Sequence, residues 1–394
     1  MNIFGTTFDY QARLRKVRKL MDERDIDAIL VHLWPNQYYI SGVYQNVPWY
    51  PIEICVHTET PLIVFRDSGK DPVFLVTSLI GYGLMEATWI KDVRFVDKEP
   101  LGKKSWWEYT AEALKEKGVD AGTVGIEEDI CVLSTFRKLQ SALPKARFTA
   151  ADQVFQTARK IKEPEEIALI RESVLIAEAG LKAGMEAAKV GVLEIDVQKE
   201  AEIEMKRRGA IREVESMCQS GIRTANFRSF ASNWKKIEKD DLVMIDIGCV
   251  YKGYGSDISR TWVVGKPTDA QKKMTDDLVA IYEKVLGFMK PGVTVQEIKE
   301  LGRNELGKAG YSTNSLAPLS DDVGIGEVTL HGIGLGPMHD APHFEDSDVP
   351  LESGMTLAVS AIIRQRTSTI RFEDNMVVMP EGIEKINKLI PWKL

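Results

Sequence analysis

The stretch Asp246-Ile-Gly-Cys-Val-Tyr-Lys-Gly-Tyr-Gly-Ser-Asp257-Ile-Ser-Arg-Thr261 reads as two strands joined by a glycine-rich turn, each strand carrying one aspartate. Side chains alternate along a strand, so counting in twos tells which way each acid points. Between Leu242 and Val250, Asp246 shares a face with Met244 and Gly248, while Val243, Ile245, Ile247 and Cys249 take the other. From residue 256 to 263, Asp257 lies with Ser259 and Thr261, opposite Ile258 and Trp262. Each aspartate therefore sits on the more polar side of a strand whose other side is apolar. If the two strands pair, their side chains come within about 5 Å across the ladder. Two further residues continue the pattern: His331, in His-Gly-Ile-Gly-Leu-Gly, and Glu373, in Ile-Arg-Phe-Glu-Asp-Asn, which shares its face with Arg371 and Asn375.

Three carboxylates that converge repel one another and need a cation or a proton between them. Carboxylate oxygens with one imidazole suit a divalent ion such as Mn, Fe, Co or Zn. Such an ion acidifies a bound water and polarises a carbonyl, which is hydrolytic chemistry. Taken singly, each residue also has a plain structural reading: a strand-end aspartate, a solvated glutamate, a hydrogen-bonded core histidine. The specificity lies in the combination.

The surrounding chain sets the frame. With 394 residues, two domains are expected. Residues 1–158 alternate helix and strand, with strands expected at 27–32, 60–65, 73–76, 93–96 and 123–126 and helices at 105–117 and 135–143, which makes an α/β domain. The polar stretch Ala158-Arg-Lys-Ile-Lys-Glu-Pro-Glu-Glu166 marks the boundary, and Pro164 opens a helix. Residues 159–394 hold helices from Pro164, from near Glu194 and at roughly 268–289 and 295–309, with strands at 213–220, 241–250, 257–265, 355–363 and 369–379. Grouped strands and grouped helices, rather than alternation, point to an α+β domain with a largely antiparallel sheet. The net charge of −7 and the lack of a basic stripe argue against nucleic acid as a partner. No apolar run reaches membrane-span length, and the N-terminus lacks a signal-peptide pattern. Cys55, Cys131, Cys218 and Cys249 lie far apart, as free thiols in a reducing compartment would; a cytoplasmic protein is expected.

The segments Ile245-Asp246-Ile-Gly, Gly253-Tyr-Gly-Ser-Asp257-Ile-Ser-Arg-Thr261, His331-Gly-Ile-Gly-Leu335, Gly354-Met355 and Arg371-Phe-Glu373-Asp374-Asn375 resemble, in order, the prolidase/creatinase/aminopeptidase P family. The resemblance implies a creatinase-like N-terminal α/β domain followed by a catalytic domain of pita-bread fold. It also implies a homodimer and a small-molecule or dipeptide-like substrate. Members include Xaa-Pro peptidases with two metal ions, a metal-free creatinase, ectoine hydrolases and a lyase. By this resemblance Asp246 chelates a first metal, Asp257 and Glu373 bridge both, and His331 binds the second. His331, His339 and Glu373 are then the expected catalytic residues.

Two departures stand out. The family's remaining ligand is a glutamate shortly after Gly-Met, and this chain has Ser360 there. The family's histidine after a Ser-Gly signature is missing from Ser220-Gly-Ile-Arg-Thr-Ala-Asn-Phe227-Arg228. His339 is the candidate for a further downstream histidine, with His343 as the alternative. The Ser360 exchange takes a ligand from the second ion only, so one divalent ion is expected, held by Asp246, Asp257 and Glu373. A metal-free site is the alternative. Arg223, Arg228, Ser360 and Arg371 are the expected substrate contacts, since a guanidinium holds a carboxylate in two-pronged fashion. The aromatic run Trp34-Pro-Asn-Gln-Tyr38-Tyr39-Ile-Ser-Gly-Val-Tyr44-Gln-Asn-Val-Pro-Trp49-Tyr50 offers either core packing or an active-site wall. The expected function is hydrolysis of a C–N bond, amide or amidine-like, in a small polar compound. The alternatives are an Xaa-Pro dipeptidase or aminopeptidase with a weakened second metal site, a metal-free creatinase- or ectoine-hydrolase-like enzyme, a metal-assisted lyase, and a non-catalytic binding member.

Overall fold

The computed structural model describes residues 5–44, 61–77, 88–96, 104–226, 229–343, 346–388 and 390–391, apart from the side chains of Glu215 and of residues 336–339. The chain divides into a unit of residues 1–158 and a unit of residues 159–394.

In the first unit, β1 (Ala28–Val31), β2 (Leu62–Phe65), β3 (Val73–Val76), β4 (Asp92–Phe95), β5 (Thr123–Ile126) and β6 (Arg147–Ala150) form one sheet in the order β4-β3-β2-β1-β5-β6. The short apolar runs of β1, β2 and β3 are buried throughout, as strands covered on both faces must be. The β1–β2 and β2–β3 pairs are antiparallel and the other pairs parallel. The aromatic run begins as a helix, Trp34–Ser41, which its composition did not suggest. The helix start is held from a distance. The Glu127 carboxylate accepts from His32 N at 2.6 Å, Leu33 N at 2.7 Å and Asn36 Nδ2 at 2.6 Å. Burial pushes Glu127 up to about 7 despite these bonds. Tyr38, Tyr39 and Tyr44 are buried, and Tyr44 meets Trp34 and Tyr38 edge-on, so these rings belong to the core of this unit. Trp49 and Tyr50 lie outside the described residues.

In the second unit, β7 (Arg212–Ser220), β8 (Asp241–Tyr251), β10 (Ile258–Val264), β11 (Ile325–Gly334), β12 (Gly336–Asp340), β13 (Thr356–Arg364) and β14 (Thr369–Met379) run in the order β12-β11-β13-β14-β10-β8-β7. Short β9 (Tyr254–Gly255) pairs with β8, and β15 (Gly382–Lys385) with β14. All of these pairings are antiparallel. Four long helices, Pro164–Ala187, Glu194–Arg207, Asp269–Phe288 and Val295–Lys308, supply the apolar cover. Thr268 and Thr294 start two of them with capping boxes. Val243, Ile245 and Ile247 pack with Ile176, Ala177, Val197 and Ala201. Leu357, Val359, Ala361 and Phe372 pack with Leu278, Tyr282, Val285 and Ile298. These residues share the strand parity opposite to Asp246, Ser360 and Glu373. The sheet therefore buries its apolar face under helices and turns its polar face the other way.

Strand register aligns that polar face into rows. Met217 pairs with Asp246, Asp246 with Ser259, Ser259 with Glu373, Glu373 with Ser360, and Ser360 with Thr329. Two residues along, His331 pairs with Ala358 and Ala358 with Asn375, whose Oδ1 accepts from Asp257 N at 3.1 Å. Two residues the other way, Arg371 pairs with Ile362, and Thr261 with Met244. Three adjacent rows on one face thus carry every candidate ligand.

On the covered face beneath them lies a buried ion pair, Arg260 with Asp374. Arg260 Nη1 also donates to Ser259 O at 2.8 Å and Glu373 O at 2.9 Å, which ties β10 to β14 at the row that carries Glu373. Removing one partner of such a pair strands a buried charge, at about 3–5 kcal/mol. Asp374→Asn is therefore expected to lower the urea midpoint sharply in equilibrium unfolding. Arg260→Met/Asp374→Leu, which removes both charges, is expected to recover most of the loss.

Candidate metal centre

Asp246 on β8, Asp257 just before β10, His331 on β11 and Glu373 on β14 are all buried, with 1–3% of their surface exposed. His331 Nε2 stands 3.4 Å from Asp257 Oδ2 and 3.9 Å from Glu373 Oε1. Ligand atoms of Asp257, His331 and Glu373 all lie within 4.8 Å of one another. The backbone allows this convergence because Gly248 has no side chain: a Cβ there would come 1.9 Å from Ser256 O, where the chain leads into Asp257.

Asp246 is arranged differently. Its Oδ2 meets Arg371 Nη1, and its buried Oδ1 has no hydrogen-bond partner among the described residues. Arg371 also donates from Nη2 to Glu373 Oε2 at 2.5 Å and from Nε to Ser360 Oγ at 3.0 Å. The sequence pointed to Asp246, Asp257 and Glu373 as the set around one ion. In the structure the ligand atoms of Asp257, His331 and Glu373 come together, and Asp246 meets a guanidinium. Two carboxylates, an imidazole and an orphaned carboxylate oxygen nearby fit a divalent ion of the Mn, Fe, Co or Zn type. Burial works against charge on His331, but the hydrogen bond it donates to Asp257 and the charges of Asp257 and Glu373 outweigh it and raise the ring to about 9.

The remaining predicted residues fall in several places. Ser360 stands opposite Glu373 and accepts from Arg371. Arg223 is occupied structurally: Nε donates to Glu194 at 2.9 Å and Nη2 to Phe230 O at 2.8 Å. Its partner Glu194 is fully buried, so this is a structural ion pair. Arg228 lies outside the described residues, and His339 is on β12 with its side chain likewise outside them. The His343 backbone N–H donates to Asp346 at 2.8 Å, and its Nε2 is buried without a hydrogen-bond partner among the described residues.

Two supporting groups had no signal in the sequence. Glu194 gathers Ser220 N, Ser220 Oγ, Arg223 Nε and Ser232 N, and so fixes the segment after β7. Asp340 is held below its ordinary value: burial opposes ionisation, but Arg159 and Lys162, the latter at 3.1 Å, overcome it. The boundary stretch read as polar linker thus sends two buried cations to the end of β12. Gly334 makes room, since a Cβ there would collide with Asp340 Oδ2.

Comparison with known proteins follows the same division. Residues 168–380 match the model described as metallopeptidase family M24, and residues 13–161 match the creatinase/prolidase N-terminal domain. An Xaa-Pro dipeptidase of Pyrococcus horikoshii is 27% identical over 380 residues, which covers 95% of this chain and 97% of that protein. One from Pyrococcus furiosus is 28% identical, at 95% and 97% coverage. The solved structure of an Xaa-Pro dipeptidase from Bacillus anthracis superposes with a TM-score of 0.82 at 26% identity, covering 97% of this chain and 98% of that one.

With its ring raised to about 9, metal-free His331 is expected to hold a second proton at neutral pH, which a ligating imidazole must give up. Calorimetric titration with Mn²⁺ at pH 7, in two buffers of different ionisation heat, is expected to show release of about one proton per ion bound. Affinity is expected to rise roughly tenfold per pH unit from pH 6 to 8. Heats that do not depend on the buffer would contradict this. Without metal, the raised ring contributes stability that is fully present below its ordinary value of 6.5 and fades as pH rises through about 9.

Proposed function

We propose, from the premise that this chain belongs to metallopeptidase family M24 and is a hydrolase of C–N bonds, that its substrates are dipeptides of the Xaa-Pro type. One observation carries the reading: a buried Asp257–His331–Glu373 cluster, in a chain that matches Xaa-Pro dipeptidases almost end to end. The sequence by itself placed a small non-peptide compound first and the dipeptide second. Likeness over nearly the whole length of the relatives favours the reverse order.

Asp257, His331 and Glu373 would hold a single divalent ion. When bound, such an ion supplies Lewis-acid polarisation of the scissile carbonyl and a water acidified toward neutral pH. Glu373 takes the proton of the attacking water, from a carboxylate held in place by Arg371 on one oxygen and faced by His331 on the other. Arg371 meets the negative charge that develops on the carbonyl oxygen, in a buried setting where such charges act strongly. His339 gives a proton to the leaving nitrogen, a role that rests on its place in the sequence. The chain works as a homodimer.

A second reading, hydrolysis of a non-proline amide, is favoured by the lack of a histidine between Ser220 and Arg228 and by Ser360. A panel separates the two. Ala-Pro, Leu-Pro and Phe-Pro, beside Ala-Gly and creatine, are offered to chelated protein before and after Mn²⁺ addition. Cleavage of the proline dipeptides only after metal addition is expected, and turnover of none of them would sink the assignment. Asp257→Asn and Glu373→Gln are expected to cost kcat at least about 100-fold. His339→Gln is expected to lower kcat about 100-fold with metal content unchanged; an unaltered kcat would remove His339 from the mechanism.

A further inference from the structure

We infer that Gln219 is a substrate contact, its side-chain carbonyl placed to accept from the free amino group of the dipeptide beside Asp246. The inference deepens the Xaa-Pro dipeptide reading and rests on it.

Strand parity turns Gln219 toward the centre. The residue before it on β7, Cys218, packs in the helix-covered core with Val243 and Ile245. Gln219 therefore leaves the opposite, polar face. It pairs with Met244, and Met244 with Thr261, whose Oγ1 accepts from Arg371 N at 3.0 Å. Gln219 thus stands in the row of Arg371. Two residues back, Met217 pairs with Asp246, so Gln219 is the diagonal neighbour of Asp246, about 7–8 Å away across the ladder. A glutamine side chain spans much of that gap.

The amide is fixed at one end only. Gln219 is fully buried, and its Nε2 donates to Ser229 O, which assigns the two ends of the amide. Its Oε1 is buried with no hydrogen-bond partner among the described residues, and Asp246 Oδ1 shares that state. Buried acceptors left unpaired are costly, so both call for a donor. The segment that supplies Ser229 is anchored on both sides: Glu194 accepts from Ser220 N and Ser232 N, and Thr224 Oγ1 accepts from Thr369 N at 3.1 Å. β8 and β10 lie between β7 and β14, so this segment crosses both strands at that end of the sheet and holds Gln219 in place. One charged and one neutral acceptor match a primary ammonium, with its positive charge and three N–H donors. In an Xaa-Pro dipeptide that group sits one carbon from the scissile carbonyl, which Arg371 meets.

The test compares Ala-Pro with propanoyl-proline, the same molecule without its amino group, on the intact chain loaded with Mn²⁺. The readout is the ratio of the two kcat/KM values, or of Ki to KM where propanoyl-proline binds without being cleaved. Wild type is expected to favour Ala-Pro at least about tenfold. Gln219→Met, which keeps the length and removes the acceptor, is expected to shrink that ratio at least about tenfold. Gln219→Ala is expected to do the same, and either variant decides the matter should the other fail to fold. A merely structural glutamine would lower both compounds alike, and an unchanged ratio in the variants overturns the inference. So does a wild type that handles the two compounds equally well. Both of those results leave the dipeptide reading standing. No cleavage of Ala-Pro by wild type would overturn the two together.

Discussion

Three carboxylates buried on one face of a sheet are the constraint on which the rest of this structure depends. Asp246 and Glu373 sit in a row fixed by strand pairing, and Asp257 N donates to Asn375 Oδ1, so the three cannot move apart to relieve their repulsion. The chain meets the cost with cations placed by the same register. Arg371 comes from one row away and His331 from the row on the other side. What remains is an excess of negative charge beside His331, where a divalent ion fits. The covered face supports this with buried hydrogen bonds: Tyr282 donates to Val359 O at 2.6 Å, and Arg260 donates to the carbonyls of Ser259 and Glu373. Backbone that carries charge on one side is thus held rigid from the other.

Much of this was legible in the sequence for a simple reason. Period-2 alternation is strict in Leu242–Val250 and in 256–263, so the facing of Asp246 and Asp257 followed from counting. The helices from Pro164, Glu194, Asp269 and Val295 announced themselves by length, by caps or by the proline at their start. β11 and β12 did not, because His-Gly-Ile-Gly-Leu-Gly has too little side chain to read as strand. Those glycines answer to tertiary packing: a Cβ at Gly332 would come 2.2 Å from Asp340 O. The Trp34–Ser41 helix was hidden for a related reason, since its N-terminal carboxylate cap, Glu127, is supplied from far along the chain.

Charged residues were the least readable part. Arg159, Lys162, Glu194, Arg223 and Arg371 look alike in a sequence, each a polar residue with a surface reading by default. Folding gives them opposite fates. Arg159 and Lys162 neutralise Asp340 behind the β11–β12 turn, and Arg223 is consumed by Glu194. Only Arg371 faces the carboxylate cluster among these five. Local pattern could not distinguish them, because each choice is made by a partner more than ten residues away or, for Arg371, by strand register.

The two ion-paired faces of β10 and β14 show why the site is on one side only. Arg260 and Asp374 point under the helices, where Asp374 meets Arg260 and, at 3.8 Å, Lys385, and the remaining Arg260 donors go to backbone carbonyls. That pair is closed and has no call on a ligand. Arg371 and Glu373, one residue out of phase on β14, point the other way, where Asp246 and Asp257 add charge that one guanidinium cannot balance. Parity along a single strand therefore separates a structural ion pair from an electrostatically incomplete cluster. The incompleteness, rather than any one ligand, is what makes this face a candidate for a divalent cation.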